Sequence, residues 1–356
     1  MKGQTALLAA TLALLSACRK PETTDTVVTT STDLQREILV DFTVTVAQDI
    51  YNELATRTAN LTTAVIALQA TTTDAQLVTC KQAWRDARKS WETSESFLFG
   101  PVSYDNIDPR IDTWPVNFVD LDAELAASNA FTPAYIDGLQ DALKGFHPIE
   151  YLLFGTGGNK TAAQFTVREL EYLAALAQNL EQLTAQLATS WHTSTTDNYA
   201  VEVTEAGSSN SVYPTRLAAY EEMVNAMVGI CDEVANGKMN EPFLAQDPTM
   251  EESPFSFNSL TDFTNNIRGV KAVYLCNYNS DNSGLEDLVR THNLSLDADL
   301  KLEMDNAIAA LNNITVPFGQ AIIDQPIQVQ LAIDAINTLA ETLETELLPL
   351  LQMHVQ

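Results

Sequence analysis

The sequence is poor in basic residues. Its 356 residues include 19 lysines and arginines against 47 aspartates and glutamates, which gives a formal net charge of −28 at pH 7. A surface this acidic repels the phosphate backbone of nucleic acids, so we exclude DNA and RNA as partners. The same surface attracts cations weakly everywhere, and acidity alone is therefore no evidence for a metal site.

The sequence also lacks the short motifs that mark common enzyme classes. It contains no HExxH, GxSxG, P-loop or GxGxxG spacing, so no motif supports a zinc peptidase of that type, a serine hydrolase, an NTPase or a dinucleotide enzyme. The four cysteines include no CxxC pair. Cys80, Cys231 and Cys276 are widely spaced, and we expect them to be small buried side chains.

Long apolar runs are scarce, and the clearest one lies near the start of the sequence. A lysine at position 2, the apolar run Ala6–Leu15 and the small residues before Cys18 have the layout of a secretory signal over residues 1–17, too short to span a bilayer. The stretch "LSAC" resembles the lipobox of bacterial lipoproteins, which predicts cleavage before Cys18 and lipidation of its thiol. The polar, threonine-rich residues 18–32 are typical of a flexible tether.

These features predict an exported, membrane-anchored lipoprotein of the bacterial cell envelope. The expected membrane is the outer membrane, and the protein would face the periplasm or the cell surface. The alternative is an ordinary signal peptide in which Cys18 is incidental.

Apolar residues recur at spacings of three and four after the tether, and no segment alternates convincingly at a period of two. The spacing predicts an all-α fold. A polar, turn-rich stretch at 192–212 favours two helical-bundle domains, 33–200 and 201–356, although the length also admits one large domain. A weak echo between residues 84–95 and 263–274 suggests that the two bundles are related by duplication.

Local signals predict where some helices begin and end. Asp74 is the expected N-cap of a long helix. Thr132 and Pro133 predict the start of a helix that ends at Gly145. The segment 100–132 looks irregular. A loop this long is either functional or a sign that secondary-structure elements have been mis-assigned, and we favour a functional loop.

The stretch "GFHPIE" combines a rare histidine with a nearby glutamate. His147 and Glu150 are three residues apart, which places them on one face of a helix, and Pro148 suits the first helical position, with His147 at or just before the cap. An imidazole nitrogen and a carboxylate oxygen form half of a ligand shell for zinc, copper or iron. The alternative is a histidine hydrogen-bonded to its neighbour without a metal.

Four segments resemble the imelysin family. "GFHPIE" is similar to its GxHxxE motif, and "WRDARKSWETSESFLFGP" to its W-x-x-A-R-x-x-[WY]-x-x-[ST]-E-x-F segment. "IDTWP" resembles its aspartate-tryptophan-proline element, and "ESPFSFNSLTDFTNNIRGVKAVY" its C-terminal signature. The segments follow one another in the family's order over residues 84–274.

The resemblance implies a bacterial envelope protein, often a lipoprotein, built of two helical bundles related by duplication. It also implies a link to iron uptake and to iron-transport partner proteins, since a related branch forms the periplasmic part of a ferrous-iron permease system. The family carries a historical label of metallopeptidase. The implied site has His147 and Glu150 as metal ligands, and the implied supporting residues of the cleft are Arg88, Glu95, Trp114, Ser256, Ser259, Asn266 and Arg268.

We therefore expect an envelope-anchored, metal-associated binding protein in iron acquisition, with a cleft between two helical domains. Its ligand would be a divalent metal (iron, zinc or copper) or a metal-bearing small ligand, because an arginine beside a glutamate could also hold a carboxylate-bearing molecule. One alternative is a metallopeptidase with His147 and Glu150 at the active site, in which Glu150 or Glu95 acts as the base. Another is a non-catalytic surface interaction module.

Simpler structural roles also fit three of the neighbouring residues. Arg88 could form a surface ion pair with Glu92 one turn away. Asp262 could cap its helix, and Trp114 before a proline could anchor the loop by packing.

Overall fold

The computed structural model describes residues 31–196, 198–209 and 211–356. Within those ranges the regular secondary structure is helical, and the β contacts are limited to an isolated bridge between Asn277 and Asp281. The predicted all-α fold is therefore confirmed. The predicted signal at 1–17, the lipidation site at Cys18 and most of the tether lie outside the described residues.

The described residues form eighteen α-helices. In chain order they are α1 Ser31–Asp41, α2 Gln48–Ala70, α3 Asp74–Ser94, α4 Pro101–Tyr104, α5 Ile107–Asp112, α6 Phe118–Ala126, α7 Pro133–Asp137, α8 Phe146–Phe154, α9 Val167–Trp191, α10 Tyr199–Thr204, α11 Arg216–Asp232, α12 Asn240–Ala245, α13 Ser259–Leu275, α14 Leu285–His292, α15 Leu294–Asn312, α16 Phe318–Asp324, α17 Pro326–Thr342 and α18 Leu348–His354. Three short π-helical turns each join two helices: Phe42–Ala47 joins α1 to α2, Glu233–Met239 joins α11 to α12, and Leu343–Leu347 joins α17 to α18.

Helix α2 packs against both α3 and α9 in the N-terminal half. The Thr58 and Thr184 hydroxyl oxygens lie 2.6 Å apart, and Thr62 Oγ1 donates to Ala177 O at 3.0 Å, so short polar side chains let α2 and α9 approach closely. Trp191 at the end of α9 is fully buried among aromatic rings, including those of Phe97 and Tyr199. Cys80, Cys231 and Cys276 are buried free thiols, as expected.

Helix α13 crosses α3 at very close range. A β-carbon at Gly269 would lie 2.2 Å from the carbonyl oxygen of Thr93, so only glycine fits at this crossing. The close approach brings the amide of Asn266 on α13 to the carboxylate of Glu92 on α3, at 2.8 Å. A contact between the two halves of the chain is thus built beside the charged residues of α3.

Three local predictions are wrong. Thr73, not Asp74, caps α3 by accepting from the backbone of Gln76, whereas Asp74 accepts from the backbone of Ala162. The predicted helix up to Gly145 ends early, at Asp137, and a 3₁₀ turn over Asp141–Leu143 follows it, because the Lys144 ammonium satisfies the carbonyls of Asp137 and Leu139. The segment 100–132 contains the three short helices α4, α5 and α6 rather than one irregular loop.

Two further features concern the whole chain. No helix in the described ranges is both long and apolar enough to cross a membrane. The predicted division between residues 200 and 201 falls inside α10 (Tyr199–Thr204), and the two-domain organisation and its duplication stay predictions.

Candidate metal site

The start of α8 is packed against the end of α5. Gly145 precedes α8 with a φ of +82°, and a β-carbon there would lie 2.1 Å from the carbonyl oxygen of Ile111. This contact sets Asp112, the last residue of α5, beside the first turn of α8. Helix α8 begins at Phe146, so Pro148 is its third residue rather than its first, and His147 lies within the first turn instead of at the cap.

His147 and Glu150 are both buried, with exposures of 1% and 0%. The ring nitrogens of His147 lie 3.2 Å (Nε2) from Asp112 Oδ1 and 3.7 Å (Nδ1) from Glu150 Oε2, and neither forms a well-aligned hydrogen bond. Burial lowers the pKa of His147, but the carboxylates of Asp112 and Glu150 beside the ring outweigh burial and raise the pKa to about 9. The imidazole is therefore held by two carboxylates rather than by Glu150 alone.

One oxygen of Glu150 is fully occupied by a loop that precedes α13. Its Oε1 accepts hydrogen bonds from the backbone N–H of Phe255 (3.1 Å) and of Ser256 (2.7 Å), and from the Ser256 hydroxyl (2.6 Å). Its Oε2 points toward His147 without a hydrogen-bond partner. Ser256, one of the predicted supporting residues, thus orients Glu150.

Arg88 is fully buried and is surrounded by carboxylates. We call Arg88 and these carboxylates the charged cluster. Its guanidinium forms ion pairs with Asp112, with Glu92 at 2.5 Å and with Glu252 at 2.9 Å, and its Nε is 3.8 Å from Asp262 Oδ1. Burial would lower the pKa of Arg88, but these carboxylates raise it well above its ordinary value. The predicted pair with Glu92 exists, but it is buried and shared rather than a surface pair.

The neighbours of Asp112 and Asp262 fix these two carboxylates. Trp91 Nε1 donates to Asp112 Oδ2 at 2.6 Å, and the charge of Arg88 and the adjacent ring of His147 outweigh burial, so the pKa of Asp112 lies below its usual range. Asp262 accepts from Ser253 Oγ at 2.6 Å and from Asn258 Nδ2 at 2.6 Å, and burial raises its pKa to about 7. Asp262 is therefore part of the buried cluster, and the simpler reading of it as a helix cap is wrong.

A second cation stands at the edge of the cluster. Lys238 Nζ lies 3.0 Å from Glu95 Oε2, 2.9 Å from Glu252 Oε1 and 3.3 Å from Glu233 Oε1. Asn266 Nδ2 donates to the same Glu95 oxygen at 2.7 Å. Burial raises the pKa of Glu95 to about 8, despite the opposing charge of Lys238.

An open cavity of about 420 Å³ reaches this cluster from the surface, and we call it the acidic pocket. Its lining comes from both halves of the chain. The charged lining residues are six acids and one base: Glu95, Asp108, Asp112, Glu233, Glu241, Glu252 and Lys238. The remaining lining residues are Leu98, Pro109, Thr113, Trp114, Gly237, Pro242 and Met250.

Three groups of side chains in the described residues have ligand atoms close enough to share a metal ion. They are Asp112, His147 and Glu252; Glu92, Glu95 and Asp112; and Glu92, Glu252 and Asp262, with all ligand atoms of a group within 4.8 Å of one another. The first group has the mixed nitrogen and oxygen donors that suit iron, zinc and copper. Oε2 of Glu252 and Oε2 of Glu150 are buried without hydrogen-bond partners, and the nitrogens of His147 face only carboxylates, so a cation could bind among these atoms once the imidazole has lost its proton.

The sequence reasoning missed Asp112 and Glu252 as candidate ligands. Both residues lie in segments that carried the family resemblance, Asp112 in "IDTWP" and Glu252 at the head of "ESPFSF". The signal was available in those acids, since a histidine needs carboxylate partners to complete a site. Their distance from His147 along the chain concealed the contact.

The predicted supporting residues lie at different distances from the cluster. Arg88, Glu95, Ser256 and Asn266 contact the cluster as described, and Trp114 lines the acidic pocket. Ser259 Oγ donates to Glu251 Oε2 at 2.9 Å, which places it next to the cluster rather than on His147. Arg268 is exposed and donates to Asn265 on its own helix, so the structure does not bring it to the site.

Comparison with known proteins gives consistent matches over most of the chain. The chain is 32% identical over 314 residues to iron-regulated protein A from Synechococcus elongatus, which covers 85% of this chain and 83% of the relative. It superposes with a TM-score of 0.81 on a solved structure from Parabacteroides distasonis, described as an iron-regulated protein A precursor, at 27% identity and with coverage of 93% and 97% of the two chains.

A second solved structure, an imelysin-like protein from Psychrobacter arcticum, has the same fold with a TM-score of 0.75 at 12% identity, and coverage is 91% of this chain and 97% of that one. The family model for imelysin matches residues 47–345, which includes every candidate site residue described above except Cys18. The chain therefore belongs to the imelysin family.

Proposed function

We propose that this protein binds a metal cation in the acidic pocket, with iron as its physiological ion, and that it serves iron acquisition at the cell envelope. The observation that carries the proposal is the group of Asp112, His147 and Glu252, whose ligand atoms lie within 4.8 Å of one another and include a Glu252 oxygen without a hydrogen-bond partner. The two relatives described as iron-regulated protein A support iron among the metals that these donors suit.

The charges favour a bare cation over a carboxylate-bearing chelate. The Arg88 guanidinium is fully buried and is already surrounded by four carboxylates, so it has no free edge for a bidentate contact with an anionic ligand. The pocket lining adds six acids against one lysine. An anionic chelate would therefore meet repulsion, whereas a cation would be attracted.

Each residue of the site has a definite part in cation binding. His147 supplies a nitrogen donor, and it must lose its proton to do so, since its pKa is raised to about 9. Asp112 and Glu252 supply carboxylate oxygens, and Arg88 holds both of them in place. Glu150 stays fixed by the loop at Phe255 and Ser256, and its free Oε2 either orients the imidazole or joins the shell.

Calorimetric titration with Fe²⁺ under anaerobic conditions, and with Zn²⁺ and Cu²⁺, tests the proposal. We expect wild type to bind one ion per chain, and the double variant His147→Ala with Glu252→Gln to bind at least 100-fold more weakly. Arg268→Ala is the matched control, because Arg268 is exposed and outside the site. Equal metal affinity in wild type and the double variant would show that His147 and Glu252 do not form a metal site.

The location of the protein is a separate part of the proposal. We infer export and a lipid anchor at Cys18 from the "LSAC" stretch. The expected outcome of Cys18→Ser is loss of acyl labelling in the bacterial cell and release of the protein from the membrane fraction, with unchanged metal binding. Continued membrane association of this variant would contradict the anchor and leave the metal site unaffected.

A further inference from the structure

Lys238 reaches the cluster from a π-helical turn. The turn Glu233–Met239 follows α11, and Lys238 precedes its last residue. Turns of this kind often mark functional positions in helices. The Lys238 side chain is 12% exposed and lines the acidic pocket, so its ammonium stands between the mouth of the pocket and the buried carboxylates.

The ammonium is surrounded as a metal ion would be. Its Nζ lies 2.9 Å from Glu252, 3.0 Å from Glu95 and 3.3 Å from Glu233, and 4.0 Å from Glu92 Oε2. Four carboxylates around one ammonium is more than an ordinary ion pair requires.

Two of the three-residue groups that could hold a metal share Asp112. One group is Asp112, His147 and Glu252, and the other is Glu92, Glu95 and Asp112. A carboxylate common to two groups is positioned to bridge two ions, as carboxylates do in helical di-metal proteins. Lys238 contacts Glu252 from the first group and Glu95 from the second, so its charge stands where it neutralises both.

We propose that Lys238 takes the place of a second metal ion and restricts the acidic pocket to a single one. This inference rests on the proposed function and deepens it. The single ion enters at Asp112, His147 and Glu252, while the group of Glu92, Glu95 and Asp112 stays compensated by the ammonium. Without that ammonium the second group is free to bind a further cation.

The hydrogen bonds of Glu252 fit this division. Its Oε1 is 2.9 Å from Arg88 Nη2 and 2.9 Å from Lys238 Nζ, whereas its Oε2 is buried without a partner. The two bases thus occupy one oxygen and leave the other available to an ion. Arg88 is enclosed and fixed, but Lys238 stands on a flexible four-carbon stem at the pocket mouth, and its removal opens space there.

Lys238 is the cation that faces the second group from the pocket. Its ammonium lies within 4.0 Å of carboxylate oxygens of Glu92, Glu95, Glu233 and Glu252. Replacing Lys238 by a neutral residue restores one negative charge at the second group and so favours a second ion.

Metal stoichiometry of the full chain tests the inference. The variants are Lys238→Met, Lys238→Gln as a second neutral replacement if the first folds poorly, and Lys238→Arg as the charge-preserving control. Mn²⁺ is the probe, because two Mn²⁺ ions with a shared carboxylate give an exchange-coupled electron paramagnetic resonance spectrum, and calorimetry counts the ions bound. Circular dichroism confirms that each variant is folded.

We expect one Mn²⁺ per chain in wild type and in Lys238→Arg, and two per chain with a coupled spectrum in the neutral variants. A single ion in wild type and in both neutral variants overturns the inference and leaves the proposed function standing. Weaker binding of a single ion in the neutral variants also overturns it, because Lys238 would then only hold the carboxylates in position. No binding of Mn²⁺ to any of the proteins overturns the inference, and if wild type also binds no Fe²⁺, Zn²⁺ or Cu²⁺ the proposed function is overturned with it.

Discussion

Arg88 shows how one buried side chain organises the carboxylates around it. Its exposure is 0%, and it forms ion pairs with residues from α3, from α5 and from the segment before α13. Removing one partner from a buried ionic cluster leaves charges that water cannot reach, which is far more costly than losing a surface pair. Arg88 is therefore a structural requirement of the site as much as an electrostatic one.

We predict that Arg88→Met destabilises the protein by about 3–5 kcal/mol at pH 7, because four carboxylates lose their common partner. The measurement is urea unfolding followed by circular dichroism. Arg268→Met, on the exposed side of α13, is the control and should change the free energy of unfolding by less than about 0.5 kcal/mol. Arg88→Lys should fall between the two, since an ammonium keeps the charge but loses the planar fork. Similar stability of Arg88→Met and Arg268→Met would show that the cluster does not depend on the guanidinium.

At the scale of helices, regular spacing predicts which segments are helical but not how their ends are completed. The apolar spacing of α2, α3 and α9 identifies them from the sequence. The end of α7 is different, because the carbonyls there are satisfied by Lys144 rather than by a further helical turn. A side chain seven residues away decides that end, and local propensity has no access to it.

The same limit applies to the site. The GxHxxE stretch places His147 and Glu150 within one helical turn, so periodicity alone brings them together. Asp112 reaches His147 because Gly145 packs on the backbone of Ile111, and Asn266 reaches Glu92 because Gly269 packs on Thr93. These contacts depend on two close approaches of the backbone. The family resemblance grouped several of these residues into one site, but it did not indicate the backbone contacts that bring them together.

At the scale of the whole molecule, the acids are not spread evenly between solvent and interior. Most acidic residues in the described ranges are at least partly exposed, but six are buried within and beside the cluster: Glu92, Glu95, Glu150, Glu251, Glu252 and Asp262. The side chain of Asp112, next to them, is 6% exposed. Burial raises the pKa of Glu95 to about 8 and the pKa values of Glu251 and Asp262 to about 7. The folded chain thus retains protons at a pH where the unfolded chain has released them.

This difference fixes the sign of the pH dependence. An unfolded carboxyl titrates near pH 4, so between about pH 4 and 8 the unfolded state binds fewer protons than the folded state and becomes more favourable as pH rises. His147 adds to the trend, because its raised pKa stabilises the fold below about pH 6.5 and this contribution is lost as pH rises through about 9. Asp112 has the opposite effect, but only below its unfolded pKa of about 3.8.

We predict that the metal-free protein, prepared with a chelator, melts at a progressively lower temperature from pH 5 to pH 9. A saturating divalent cation should reverse much of this decline, because it binds the deprotonated carboxylates and imidazole and displaces their protons. The rise in melting temperature on adding metal should therefore be larger at pH 8 than at pH 5. Thermal melts at constant ionic strength measure both effects.

His147→Ala with Glu252→Gln is the control, and its response to metal should be small at every pH. A melting temperature that rises between pH 5 and pH 8 without metal would show that the buried carboxylates are ionised in the folded chain, and the cluster would then need more compensating charge than Arg88 and Lys238 supply.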